Sequence, residues 1–121
     1  MQTYPKAIGA YSAYRVVGDF VFASGQIPLN PNTNELVQGG IKEQTAQVFE
    51  NIKGILAENG LSLANVVKTT VFLADISDFT AMNETYASFL SAPYPARSAV
   101  AVKDLPKGAK VEIEIIAHKK G

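Results

Sequence analysis

Hydrophobic and polar residues follow two different periods along this chain, and the change of period marks its secondary structure. Two segments repeat their hydrophobic residues every three to four positions, which is typical of a helix with one buried face. The first begins after Gly39-Gly40 and ends near Asn59-Gly60, and the second begins at Ser77 or Asp78. The apolar stripe of the second is Phe79, Met82, Tyr86, Phe89 and Leu90. The sequence therefore predicts two amphipathic helices, the first of them covering a sheet.

Five other segments are rich in β-branched and aromatic residues, which is typical of strands. They are residues 11–17, 20–23, 66–73, 96–102 and 110–118. Gly18-Asp19 indicates a tight hairpin turn between the first two segments, and residues 35–37 indicate a further short strand. Both faces of the third segment are apolar, which predicts a strand in the centre of the sheet.

The order of these elements is strand, strand, short strand, helix, strand, helix, strand, strand. It predicts an α+β fold with one mixed, mainly antiparallel sheet and two helices on one of its faces. A length of 121 residues without repeats or low-complexity tracts indicates a single domain over residues 1–121. The sheet face without helices would carry Val and Ile beside Glu and Arg, so we expect a symmetric partner to cover it.

The composition excludes several classes of chemistry. Eleven basic and eleven acidic residues give zero formal net charge, which argues against a nucleic-acid partner bound through its phosphates. The absence of cysteine excludes disulfides, thiol nucleophiles and sulfur-ligated metals. The only histidine is His118, which disfavours a catalytic triad or a zinc site, and we expect it to be an exposed terminal residue. No apolar run has membrane-spanning length and no signal sequence is evident, so we expect a cytoplasmic protein with no membrane partner and no metal.

Arg97 is a candidate anion-binding residue. It is one of two arginines, the other being Arg15, and a guanidinium can pair with both oxygens of a carboxylate or phosphate. The alternation of a strand places Arg97 and Ala99 on one face and Ser98 on the other. The residues alone leave open whether Arg97 is simply a surface arginine on a strand.

Two carboxylates on the last strand are a second candidate. Glu112 and Glu114 share one strand face and lie roughly 7 Å apart, from the rise per residue. The spacing alone favours a solvated outer face, and the alternative is a cavity in which one glutamate is desolvated and holds its proton more tightly. Asn83 borders the apolar stripe of the second helix, where an amide more often caps or braces a neighbouring loop than contacts a ligand.

Six separated motifs occur in a fixed order along nearly the whole chain. They are Ala7-Ile8-Gly9-Ala10-Tyr11; Ala23-Ser24-Gly25-Gln26-Ile27-Pro28 followed by Asn30-Pro31; Val67-Lys68-Thr69-Thr70-Val71-Phe72; Asp78-Phe79 with Asn83; Pro95-Ala96-Arg97-Ser98; and Leu105-Pro106-Lys107 leading to Val111-Glu112-Ile113-Glu114. Each motif is weak alone, but in this order and at these separations the sequence resembles the RidA family, also called YjgF or the reactive-intermediate deaminases.

The resemblance implies a fold, an assembly and an activity. The fold would be chorismate-mutase-like, with three subunits packed sheet to sheet as a homotrimer and three clefts between neighbouring subunits. The activity would be hydrolysis of 2-enamine and 2-imine acids to 2-keto acids and ammonia. The substrates would be 2-aminoacrylate with its tautomer 2-iminopropanoate, and 2-iminobutanoate. The resemblance implies no cofactor.

The family's catalytic positions correspond to three residues of this chain. Arg97 stands where the family binds the substrate carboxylate. Glu112 stands at the acidic position near the reacting carbon, where a carboxylate orients or deprotonates water. Tyr11 matches the tyrosine that closes the pocket, and its hydroxyl would assist the proton relay. Glu114 shares the face of Glu112, and we expect it to be structural.

Other family positions line the pocket, and two differ in this chain. Ser24 and Asn83 match polar substrate-binding residues, and backbone amides near Ala99 would help to bind the carboxylate. Many members have a cysteine where this chain has Ala99, so any activity here cannot depend on a thiol. Ala10 replaces a frequent proline before Tyr11, which would loosen that segment.

Two other functions stay open from the sequence. A module that binds or senses a small carboxylate, such as a keto acid, would use Arg97 equally well and would not need Glu112. Some family members are described as endoribonucleases or translation inhibitors. Zero net charge, the absence of an arginine-rich patch and a single histidine make RNA cleavage the less favoured of these two alternatives.

Overall fold

Five strands and two α-helices form the fold in a computed structural model, which describes residues 2–120. The elements are β1 (Tyr14–Val17), β2 (Phe20–Gln26), α1 (Ile41–Glu58), β3 (Val66–Leu73), α2 (Phe79–Phe89), β4 (Ala96–Ala101) and β5 (Val111–His118). The strands make one sheet in the order β1-β2-β5-β3-β4. Neighbours are antiparallel except β3 and β4, which are parallel and are joined through α2. The predicted α+β fold with a mixed, mainly antiparallel sheet is confirmed.

Several predicted strand boundaries were wrong. Regular pairing of β1 ends where Tyr14 faces Ala23, and β2 is irregular between Ala23 and Gln26, so residues 11–13 precede the strand. The segment 35–37 contributes one isolated bridge, between Leu29 and Leu36. The centre of the sheet is β5, although β3 is also an interior strand. Hydrophobicity on both faces indicated that β3 is interior but could not give its place in the strand order.

One hydrophobic core lies between the sheet and the helices. Alternate residues of β2, β3 and β5 point into it, and both helices contribute their apolar stripes to the same cluster. Its largest fully buried side chains include Phe49, Ile52, Met82, Leu73 and Ile113. Both helices therefore pack on one face of the sheet, as the sequence predicts. Within residues 2–120, no helix combines the length and the apolar character that crossing a membrane requires.

The other face of the sheet, which we call the open face, carries large apolar side chains. Phe20 and Phe22 of β2 are 41% and 42% exposed, and Val100 of β4 is 46% exposed. His118 also lies on this face, because it pairs with Phe20, and the two rings meet edge to face at 4.7 Å. The expectation that His118 is an exposed terminal residue was wrong, since it ends β5 and is half-buried.

The start of α2 differs from the predicted cap. A short 3-10 turn, Ile76–Asp78, precedes the helix, and Asp75 accepts a hydrogen bond from the Ser77 backbone N–H at 2.9 Å. Neither Ser77 nor Asp78 caps α2 through its side chain. An acidic side chain one turn earlier therefore fixes the entry to the helix, and this entry sets the position of Phe79 and Asn83.

Candidate functional site

The guanidinium of Arg97 lies between β4 and α2. In the parallel register Arg97 faces Thr69 of β3, so its side chain points to the face covered by the helices. Its Nη1 donates a hydrogen bond to Asn83 Oδ1 at 2.6 Å. Its Cζ lies 4.8 Å from the ring centre of Tyr86 and 5.4 Å from that of Phe79, which are cation–π distances. Three residues of α2 thus orient one guanidinium.

The core fixes the aromatic support beneath Arg97. Tyr86 is buried, and its hydroxyl forms a 2.7 Å hydrogen bond with the Thr69 hydroxyl. The Tyr86 ring also meets Phe49 of α1 edge to face at 5.5 Å. Because Thr69 and Phe49 are themselves buried, Tyr86 has little freedom to move. Arg97 is exposed at its outer side, but its inner side rests on a rigid surface.

A cavity of about 460 Å³ opens beside this guanidinium. We call it the arginine pocket, and its lining residues are Asn83, Tyr86, Ala87, Tyr94, Pro95 and Arg97. Among residues 2–120, the structure has no carboxylate within ion-pair distance of Arg97. The remaining guanidinium donors are therefore available to an anion, and the volume is in the range of pockets that hold small organic molecules.

Glu112 lies on the opposite face of the sheet. It pairs with Phe72, while its neighbours Val111 and Ile113 point into the core. Its carboxylate lies directly over the backbone of Gly25 in β2. A β-carbon added at Gly25 would collide with Glu112 Oε2 and would lie 2.9 Å from Cδ. Only glycine gives the carboxylate this place, which we call the glutamate site.

The environment of Glu112 makes its carboxyl hold a proton more tightly than an exposed carboxyl would. Burial raises the pKa of the Glu112 carboxyl above its ordinary value, and the nearby negative charge of Glu114 raises it further. Glu114 itself is exposed. The solvated outer face that the spacing favoured therefore describes Glu114 and is wrong for Glu112. A carboxyl with a raised pKa accepts a proton more readily than a solvent-exposed one.

Tyr11 and Ser24 lie near Gly25, whose backbone underlies the glutamate site. Tyr11 is 55% exposed and borders a cavity of about 400 Å³, which Gly25, Pro106 and Lys107 also line. Ser24 and Tyr11 together border a second hollow of about 380 Å³. The Ser24 hydroxyl donates to the Ser12 carbonyl at 2.6 Å, so it ties the end of β2 to the segment before β1.

The predicted site residues therefore fall into two groups within one chain. Arg97 and Asn83 are in direct contact, and Ala99 follows on the same face. Glu112 lies on the other face of the sheet, at Gly25, and Tyr11 and Ser24 lie near that glycine. The structure does not bring Arg97 and Glu112 into one pocket of a single chain.

Three contributing residues escaped the sequence analysis as site residues. Tyr86 and Phe79 were assigned to an apolar stripe, and nothing in their spacing distinguishes a core residue from a support for a cation. Gly25 offered a signal, since a glycine inside a strand pattern often marks a close approach by another group. Among residues 2–120, no cluster of three acidic or histidine side chains has the arrangement of a metal site.

Comparison with known proteins shows the family to which this chain belongs. The family model described as Endoribonuclease L-PSP matches residues 1–119. A RutC family protein of Pyrococcus abyssi is 54% identical over 115 residues, which cover 95% of this chain and 91% of that protein. The rat protein named 2-iminobutanoate/2-iminopropanoate deaminase is 47% identical over 113 residues, covering 93% and 82%. The crystal structure of RidA from an Antarctic Psychrobacter superposes with a TM-score of 0.92 at 51% identity, covering 96% and 94%. The chain therefore belongs to the RidA/YjgF family.

Proposed function

We propose that this protein hydrolyses small 2-imino acids, such as 2-iminopropanoate and 2-iminobutanoate, to 2-keto acids and ammonia. The observation that carries the proposal is the Arg97 guanidinium, which Asn83 and Tyr86 orient and which has no carboxylate partner among the described residues. Such a group is suited to bind the carboxylate that every substrate of this class has. The name of the rat relative supports the substrate class.

The proposed active site is shared between two copies of the chain in a homotrimer. Arg97 and Glu112 lie on opposite faces of one sheet, so one small molecule would contact both only if they came from different chains. The exposed phenylalanines and valines of the open face give a reason for copies to associate. We therefore place the arginine pocket of one copy against the glutamate site of its neighbour.

In the proposed mechanism Arg97 binds the substrate carboxylate and Glu112 transfers the protons. Backbone amides near Ala99 assist Arg97, and Ser24 helps to shape the pocket. Glu112 accepts a proton as water attacks C2 of the iminium, which gives a carbinolamine with a new C–O bond. The proton then passes to the nitrogen, with help from the Tyr11 hydroxyl. The C–N bond breaks as the hydroxyl proton of the carbinolamine passes to the Glu112 carboxylate, so ammonia leaves and the 2-keto acid forms. The uncatalysed hydrolysis is already fast, so positioning and proton transfer supply the required acceleration.

A coupled assay tests this proposal. Threonine dehydratase generates the enamine, semicarbazide traps the imine, and the loss of trapped product measures hydrolysis by the protein. We expect hydrolysis by the wild type, none above background for Arg97→Ala, and retained binding with slower turnover for Glu112→Gln. Lys53→Ala removes a surface cation of α1 outside both groups of site residues and should behave as the wild type. Equal rates for Glu112→Gln and wild type would contradict the role of Glu112.

The arginine pocket also fits a second function, in which the protein binds a keto acid without converting it. This pocket forms within one chain and needs no contribution from Glu112. Tight binding of 2-oxobutanoate with no hydrolysis in the coupled assay would favour that function. RNA cleavage that is lost in Arg97→Ala would instead favour the nuclease named by the family model. A stable 13.0 kDa monomer in light scattering would contradict the shared site. The cytoplasmic location of the protein stays a prediction.

A further inference from the structure

One carboxylate oxygen closes the segment before β1 into a loop. The hydroxyls of Tyr4 and Tyr14 both donate to Oε2 of Glu58, the last residue of α1, at 2.8 and 2.5 Å. The two tyrosine rings also meet edge to face, with their centres 6.5 Å apart. Residues 4–14, which we call the Tyr11 loop, are therefore tied at both ends to the same atom.

The charge states of these three residues match that arrangement. Burial raises the pKa of Tyr4 to about 12, and the hydrogen bond to Glu58 acts in the same direction. The hydrogen bonds from Tyr14 and Tyr4 lower the pKa of the Glu58 carboxyl. At neutral pH Glu58 is therefore an ionised acceptor that serves two neutral donors.

A glycine in α1 lets the chain reach this anchor. Gly54 lies one turn before Glu58, where the backbone at Thr3 crosses the helix. A β-carbon added at Gly54 would collide with the Thr3 carbonyl oxygen and would lie 2.9 Å from Thr3 Cβ. Glycine inside a helix lowers its stability relative to alanine, so the close passage of the chain is the feature that this position serves.

The Tyr11 loop carries one wall of the cavity beside the glutamate site. Residues 5–8 line that cavity together with Tyr11 and Gly25, and Pro5 is buried. Tyr11 itself is mostly exposed, and its ring lies 3.9 Å from the position of a β-carbon on Gly9, whose φ is +119°. The position of Tyr11 therefore depends on the path of the loop rather than on burial of its own ring.

We propose that Glu58 is a positioning residue, which holds the Tyr11 loop in the conformation that presents Tyr11 to the bound substrate. This inference rests on the proposed function. Without the anchor, only a fraction of molecules would have the loop in place, and the apparent affinity for substrate would fall by that fraction. Substrate at saturation selects the ordered loop, so turnover is preserved.

Kinetics of Glu58→Ala, Glu58→Gln and the control Glu50→Ala test the inference. Glu50 is an exposed glutamate of the same helix whose one ion-pair partner among residues 2–120 is Lys53, so its removal changes the charge without touching the loop. We expect Glu58→Ala to raise KM about tenfold and to change kcat less than about twofold. Glu58→Gln keeps an acceptor oxygen, so its KM should lie between those of Glu58→Ala and the wild type. The KM of Glu50→Ala should match that of the wild type. A variant that merely unfolds would lose kcat instead.

Hydrogen exchange gives a second result that does not depend on activity. Amides of residues 6–13 should exchange faster in Glu58→Ala than in wild type or Glu50→Ala. The double variant Tyr4→Phe/Tyr14→Phe should reproduce this change and should add nothing to Glu58→Ala, because all three changes remove the same interaction.

Each outcome bears on one of the two proposals. Unchanged exchange in Glu58→Ala would overturn the anchor, and faster exchange with unchanged KM would overturn its role in positioning. Absence of hydrolysis by the wild type would refute the proposed function alone. The affinity for 2-oxobutanoate would then replace KM, and an affinity that Glu58→Ala leaves unchanged would overturn the inference about Glu58.

Discussion

The surroundings of Arg97 in the arginine pocket and of Glu112 in the glutamate site affect the charges of these two side chains in opposite ways. Arg97 is oriented by an amide oxygen and two aromatic rings, none of which neutralises it. Glu112 rests against the bare backbone of Gly25, where burial and a second carboxylate make its charged form less favourable than in solvent. In the proposed mechanism the first region offers a cation to the substrate carboxylate, and the second offers a carboxyl that exchanges a proton.

The two regions also differ in what one chain supplies. The arginine pocket is built entirely from α2, β4 and the segment before β4. The glutamate site lies on a sheet face that no helix of the described chain covers. The comparison teaches that one chain contains both halves of the proposed chemistry but separates them by the thickness of its own sheet.

The largest loss of activity should come from replacing Arg97. Arg97→Ala removes the oriented guanidinium of the arginine pocket, so we expect kcat/KM in the coupled assay to fall about a hundredfold or more. Arg97→Lys keeps the charge but cannot pair with both carboxylate oxygens at once, and we expect it to recover only a small part of the loss. Full activity in Arg97→Lys would mean that charge alone is recognised.

A smaller loss of activity should come from displacing the Glu112 carboxylate in the glutamate site. The β-carbon of Gly25→Ala would push the Glu112 carboxylate from its place, and we expect kcat to fall about tenfold. In a Glu112→Ala background the same change should cause no further loss, since no carboxylate is left to displace. A further loss in that background would show that Gly25 acts through something other than Glu112.

The smallest effect should be on stability. The folded protein holds the Glu112 proton more tightly than the unfolded chain, so its ionisation costs stability once the pH rises above the ordinary pKa of 4.5. Glu112→Gln removes that cost, and we expect its Tm at pH 7 to exceed that of wild type by about 2 °C. The difference should vanish below about pH 4.

The exposed loop residue Glu35 provides the control for this melting series. Glu35→Gln should leave Tm unchanged at both pH values, because that side chain is not buried on folding. A Glu112→Gln difference that persists at low pH would show that its origin is not ionisation.

The sequence predicted the fold well where burial was periodic and poorly where pairing was irregular. The helices and the strand 66–73 follow from hydrophobic spacing, which reports directly on a buried face. The strand order does not, because the alternation within β5 is the same whether that strand is central or at an edge. The irregular pairing of β2 between Ala23 and Gln26 and the start of β1 at Tyr14 likewise leave no mark in the hydrophobic pattern.

The candidate site could be predicted from the sequence only in part. Strand alternation placed Arg97 and Ala99 together, and resemblance to the family indicated Glu112, Tyr11 and Ser24. Their separation onto two faces followed from the parallel pairing of β3 with β4 and the antiparallel pairing of β3 with β5. Such long-range registers leave no local signal, so only the structure shows that Arg97 and Glu112 do not meet within one chain.

Complementation between two impaired variants tests the shared site most directly. Arg97→Ala and Glu112→Gln chains would be co-expressed in equal amounts, purified as mixed oligomers and measured in the coupled assay. If each site takes Arg97 from one chain and Glu112 from its neighbour, random assembly leaves about one quarter of the sites intact. We expect about one quarter of the wild-type activity, far above either variant alone. A mixture no more active than the two variants measured separately would contradict the shared site.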